Sequence, residues 1–169
     1  MLDLGGVQAD FNNPYIPADP KDYNTACYIS YVKVYDFIHN MDNYFETENF
    51  IFTHSWLPVE KDENGEEIYQ ENWREAHSYE WYNARWGNPY VLAEKGLNKT
   101  GKNLVFGHWH TSWWRHHING EEEFGENSNF DSVVLKEQRC IGIDACTVYS
   151  HQVNILTIED YLLDSDNYV

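Results

Sequence analysis

GKNLVFGHWHTSWW (residues 101–114) holds three consecutive apolar residues, Leu104, Val105 and Phe106, stopped by Gly107 and followed by His108 and His110. A short apolar run bounded by a turn residue is the pattern of a strand buried on both faces, as in parallel sheets. ENFIFTHSWLP (residues 48–58) repeats the pattern: Phe50, Ile51 and Phe52, then His54. Ligands and reacting groups favour the C-terminal ends of such strands, where loops open a site. Two histidines at i and i+2 on an extended segment point to the same side. With a turn after Phe106, His108 and His110 are therefore expected to reach one cleft. The plain alternative stands beside this: a lone histidine at a strand end is more often a hydrogen-bonded structural residue. His116 and His117, beside Arg115, read as exposed, and Trp109, Trp113 and Trp114 as packing or the wall of a pocket.

On either side of these runs the pattern alternates between strand and helix. Tyr28, Tyr31, Val32, Tyr35 and Ile38 recur near helical spacing, which predicts a helix over residues 24–41. Helical segments are expected over 80–95, interrupted at Gly87 to Pro89. Residues 58–72 and the run Glu121 to Glu126 read as solvated acidic loops. Residues 140–144 and 153–159 read as two strands joined as a hairpin through 149–152. Residues 1–22 are an irregular lead-in broken by Gly5, Gly6, Pro14, Pro17 and Pro20, and 160–169 a polar tail. Together these give one domain over 1–169, of mixed α/β (α+β layered) class.

Bulk properties bound the function. The chain has 169 residues, and its net charge of −17 repels phosphate backbones and anionic lipid, so neither nucleic acid nor membrane is an expected partner. No apolar stretch approaches the roughly 18 residues that span a bilayer, and MLDLGGVQAD has no basic leader character. Cys27, Cys140 and Cys146 are odd in number and form no CxxC. They read as free thiols of a reducing compartment, and the expected location is cytoplasmic.

Four segments in register bring a resemblance into view. NFIFTHSWLP resembles the strand ending in a metal-binding histidine of the calcineurin-like metallophosphoesterases. LVFGHWHT resembles the family's closing GHxH motif, and CIGIDACTVYSHQVNILTIED the segment after it. EWYNARW resembles a Trp-x-x-x-Arg region of the bacterial Ser/Thr-phosphatase-like branch. The resemblance covers about residues 45–160. It implies the C-terminal two-thirds of a four-layer αββα sandwich with mixed sheets. It further implies hydrolysis of phosphoesters, small or protein-borne, at two divalent ions (Mn, Fe, Zn or Ni). Position by position, His54 and His108 would hold the second ion and His110 the first. Arg85 would bind the phosphate, with a surface ion pair as its alternative, and Asp144 would support the site from behind. Such ions grip the phosphoryl oxygens and lower the pKa of a bound water.

The family's remaining ligands have no counterpart: the chain contains no DxH, no GDxxDRG and no GNHE or GNHD. The expectation is then an incomplete centre, inactive or weak alone, with at most one weakly held ion, for which a chain carrying the missing motifs is an expected partner. Ser55 stands where the family often has Gly and is expected to crowd that turn; His151 stands where a hairpin Gly would be common. Other readings are a non-catalytic binding or regulatory module, one half of a split enzyme, or a simple Zn protein using His108, His110, His116 and His117.

Overall fold

Both apolar runs are strands in the computed structural model of the protein, which describes residues 33–37 and 40–158. The chain divides into two compact units, residues 1–42 and 43–169. Of the first unit, residues 33–37 are helical. The expected 24–41 helix up to 32 and at 38–39, the 1–22 lead-in, Cys27 and the 160–169 tail lie outside the described residues, and residues 40–41 are not helical.

In the second unit β1 (Tyr44–Glu46), β2 (Phe50–Thr53), β5 (Asn103–Phe106), β6 (Val133–Leu135) and β7 (Cys140–Gly142) form one sheet in the order β1-β2-β5-β7-β6. β2, β5 and β7 are parallel, and β1 and β6 close the edges antiparallel. Register places Ile51 beside Leu104 and Leu104 beside Cys140, while Phe52, Val105 and Ile141 line up on the opposite face. The two rows belong to two separate clusters. Ile51, Leu104, Phe106 and Cys140 pack with Trp56, Leu57, Trp73, Trp81, Tyr90 and Leu92. Phe50, Val105 and Ile141 pack with Phe52, Ile143 and Leu156. Burial on both faces is why these strands read as unbroken apolar runs.

Parallel strands need long crossovers, and helices supply them. Between β2 and β5 lie α1 (Ser78–Trp86) and α2 (Pro89–Glu94); between β5 and β7 lies α3 (Thr111–Asn119). The Glu80 carboxylate accepts the His77 backbone N–H at 2.7 Å at the start of α1. The break expected at Gly87 to Pro89 is present. Asn88 Oδ1 accepts the Tyr90 N–H at 3.0 Å and Pro89 opens α2, so the second helix starts afresh. α3 ends at Gly120, whose φ of 68° is the left-handed stop that favours glycine.

Three expectations are corrected. Residues 58–72 are not a loop but a hairpin: β3 (Val59–Lys61) pairs with β4 (Glu67–Tyr69). Its turn is closed by Asp62 Oδ1, which accepts the N–H groups of Asn64 and Glu66 at 2.8 and 2.9 Å. Only Val59 and Tyr69 pack against the core, so the strands look charged in sequence. Residues 153–158 are not a strand, and 149–152 is no hairpin turn; α4 (Thr147–Ser150) occupies that place. The side of β7 that this segment was to extend is taken by β6, and Asn154 Nδ2 instead donates to Phe130 O and Ile143 O. Nor does Ser55 crowd its turn: it is fully buried and its hydroxyl donates to Gly87 O at 2.7 Å. His151 does stand where a glycine would be at ease, with φ 58°.

At the β1 edge Glu46 takes two cations, Arg74 at 2.6 Å and Lys102 at 2.7 Å. Arg74 foremost, then Lys102, hold its carboxyl down to about 2 against the opposing effect of burial. A depressed carboxylate stabilises the fold above its unfolded pKa of 4.5, and that contribution is lost as pH falls from 4.5 through about 2. Partial exposure of the partners limits it to about 1–2 kcal/mol. Glu46→Gln is expected to lower stability by that amount at pH 7 and by almost nothing at pH 2, as read from urea unfolding at both values.

Among the described residues no helix is long and apolar enough to cross a membrane. Cys140 and Cys146 are free thiols; burial pushes Cys140 up to about 12, so it is an inert core residue.

Candidate functional site

Because β2 and β5 are adjacent and parallel, their C-terminal ends lie side by side, and the histidine after each meets the other. His54 Nε2 and His108 Nδ1 are 3.1 Å apart, one ring donating and the other accepting. The ring centroids are 4.7 Å apart. Gly107, between strand and histidine, sits against His54 O and the Asp144 side chain, and its N–H donates to His54 O at 3.0 Å. His108 then adopts φ 66°, a left-handed conformation that non-glycine residues rarely take.

That backbone turn decides the fate of the HxH pair. The segment is not extended, so the alternation rule does not apply and His110 enters different surroundings. It caps α3: Nδ1 accepts the Trp113 N–H at 3.1 Å and lies 2.9 Å from Ser112 Oγ. Its Nε2 is 3.5 Å from Glu123 Oε1, and its ring packs on Phe124. His116 Nδ1 meets Glu121 O, and His117 stacks on Trp113 and approaches Glu94. The four histidines expected by the Zn reading are thus engaged separately. Among the described residues no group of three or more His, Cys, Asp or Glu side chains is placed to hold a metal ion.

Arg85, near the end of α1, lines a small recess together with Asn43, His54, Ser55, Trp56 and Trp81. Its Nη2 donates to Asn43 Oδ1 at 2.5 Å. Among the described residues Arg85 makes no ion pair, the alternative expected for it; a neutral amide holds it, and that contact leaves the guanidinium charge uncompensated. Asp144 follows β7 and ties the loops around the pair. Its Oδ1 accepts the Cys146 N–H at 2.7 Å and its backbone O the Thr111 N–H at 2.9 Å.

Loss of hydration lowers the pKa of His54, and the neighbouring His108 and Arg85 charges lower it further, against the opposing pull of Asp144. His110 is also lowered by burial, opposed by Glu123 and Asp144. Both rings are kept neutral near pH 7, the form that donates a lone pair to a cation. A cation shared by the pair would have to replace the proton that now bridges His54 Nε2 and His108 Nδ1. Two nitrogens 3.1 Å apart can each lie about 2.1 Å from a common cation, at a right angle to within a few degrees. Two donors are a partial set; His110 is not a third.

Two residues of this site carried no sequence signal strong enough to name them. Asn43 is an isolated polar residue in an irregular stretch. Trp86 follows Arg85 and sets its ring edge-on to both histidines, at 5.3 Å from His108 and 6.4 Å from His54. Its place next to Arg85 was the available clue. Compared with models of protein families, with curated proteins and with solved structures, the chain matches none.

Proposed function

We propose that this chain is part of a metal-dependent phosphoester hydrolase of the calcineurin-like metallophosphoesterase type. The observation that carries the reading is the meeting of His54 and His108 at the ends of adjacent parallel strands, with Arg85 beside them. In this reading the five-stranded sheet is one of the two sheets of an αββα sandwich. His54 and His108 hold one divalent ion (Mn, Fe, Zn or Ni), and the carboxylate-rich remainder of a two-ion centre comes from a complementing chain or segment carrying the missing motifs. A bound ion polarises the phosphoryl oxygens and lowers the pKa of a coordinated water. Arg85, anchored through one amino group, turns its remaining N–H donors to a phosphate. Asp144 orients the Gly107–His108 turn through the loops it ties. The free thiols fit a reducing, cytoplasmic setting.

The test is a Co²⁺ titration followed by visible absorption, alongside hydrolysis of p-nitrophenyl phosphate with Mn²⁺. His54→Ala is expected to weaken cation binding at least about 10-fold, while His110→Ala leaves it within about 2-fold. Mn²⁺-dependent turnover lost in His54→Ala supports hydrolysis by this chain itself. Binding without turnover supports a half-site that another chain completes. Equal losses in both variants, or no binding by the folded protein, sink the assignment. A second reading, a binding module that keeps the histidines as structure, is favoured by the direct ring-to-ring hydrogen bond, which satisfies the pair without any ion.

A further inference from the structure

The outer face of α1 carries aromatic residues that no core explains. Trp81 and Ala84 turn inward and are buried. On the other side Tyr79 is 71% exposed, and Tyr82 and Trp86 are each 57% exposed. The spacing i, i+3, i+7 sets them in one stripe about 10 Å long on a helix. Singly exposed aromatics need no explanation; this stripe is different because it ends at the site. Trp86 touches both members of the histidine pair edge-on, at interplanar angles of 77° and 76°. Tyr82, one turn earlier, meets Trp86 at 6.3 Å.

The stripe's position is fixed. The Ser55 hydroxyl holds Gly87 O at 2.7 Å, and the Trp56 N–H holds Ala84 O at 3.3 Å. The end of α1 is thereby fastened to the residues just after His54, and Trp86 has little freedom to move relative to the imidazoles. Charge points the same way. In a chain of net charge −17, residues 81–89 contain Arg85 and no carboxylate, so Arg85 offsets the partial negative charge of the helix end beside the stripe.

We propose that Trp86 and Tyr82 form a ring-binding subsite, which takes the flat aromatic part of a phosphoester's leaving group while Arg85 and the histidine pair face its phosphoryl end. This rests on the phosphoester reading above and narrows it to a substrate class. Aromatic side chains stack on any flat π-face, with little regard for its substituents. The subsite therefore selects esters that carry a ring over aliphatic ones.

The test uses the full chain with Mn²⁺ and calorimetric binding of two non-hydrolysable probes, phenylphosphonate and methylphosphonate. Phenylphosphonate is expected to bind about 10-fold tighter, the size of one stacking contact. Trp86→Ala should bring the ratio close to one by weakening phenylphosphonate more than methylphosphonate. Arg85→Ala should weaken both probes and keep the ratio. Because Trp86 is exposed, the alanine variant should keep the wild-type circular dichroism; Tyr82→Ala provides a second variant with a smaller loss of ratio. Equal binding of the two probes, or a ratio that survives Trp86→Ala, overturns the subsite and leaves the phosphoesterase reading standing. Failure of both probes to bind overturns the two together. Adenosine 5′-monophosphate and O-phosphotyrosine, compared under EDTA, then tell the sources apart: tighter binding of the first assigns the ring to a nucleoside, and of the second to an aryl ester.

Discussion

Gly142→Ala is expected to destabilise the protein by about 3 kcal/mol, the upper end of the usual cost of overpacking a core. Gly142 closes β7, directly beneath the Tyr90 ring. A methyl group there would collide with Tyr90 Oη, lie 2.9 Å from Cζ and 3.1 Å from Cε1. Tyr90 is fully buried and has nowhere to retreat: Phe106 meets it edge-on at 5.1 Å, and Trp114 stacks on it at 5.1 Å. The same tyrosine makes the argument testable from the other side. Its Oη is buried without a hydrogen-bond partner among the described residues. Tyr90→Phe is therefore expected to be neutral or mildly stabilising, and to recover part of the Gly142→Ala loss in the double variant. Urea midpoints of the four proteins decide it. A Gly142→Ala loss under about 0.5 kcal/mol would show that the sheet end yields, and that the close approach imposes no constraint.

His108→Gly is the second large effect, and its two readouts should move in opposite directions. A side chain held at φ 66° costs about 1 kcal/mol that glycine does not incur. The variant should be more stable by roughly that amount in urea unfolding. Its affinity for Co²⁺ should fall about 100-fold, because one of two donors is gone. Strain retained where a functional group is aimed is the usual trade at such sites. A variant that loses stability would mean that the ring contacts to His54 and Trp86 outweigh the backbone strain. The histidine pair would then be an element of structure, as the binding-module reading holds.

The sequence disclosed the parts of the fold whose burial is symmetric. Phe50 to Phe52 and Leu104 to Phe106 are apolar on both faces, so composition alone reveals them, and Asn88-Pro89 marks a helix start by backbone chemistry. β3, β4 and β6 were illegible because each is three residues long and has one charged or exposed side. A period of two cannot be recognised over so short a run. Residues 153–158 misled in the opposite way: Val153 and Ile155 alternate like a strand yet are exposed, since β6 had already taken the ladder. At the site, His54 and His108 were legible because strand ends are. The diversion of His110 was not, since nothing in GHWH announces that His108 turns left-handed. Arg85 was placed near the site only by the resemblance of EWYNARW, and its Asn43 partner lies 42 positions away in a stretch without pattern.

The parallel pairing of β2 with β5 also governs when the site comes into being. His54 and His108 are separated by 54 positions, and bringing such distant residues together costs chain entropy that grows with the logarithm of the loop. Non-local parallel contacts of this kind form slowly and are rewarded only once the loop is closed. The histidine pair is therefore absent from any partly folded chain in which β5 has not yet docked on β2. A cation shared by the two rings, as proposed above, would act as a reversible cross-link across that loop. Binding only the folded chain, it would draw the folding equilibrium toward the docked sheet as its concentration rises.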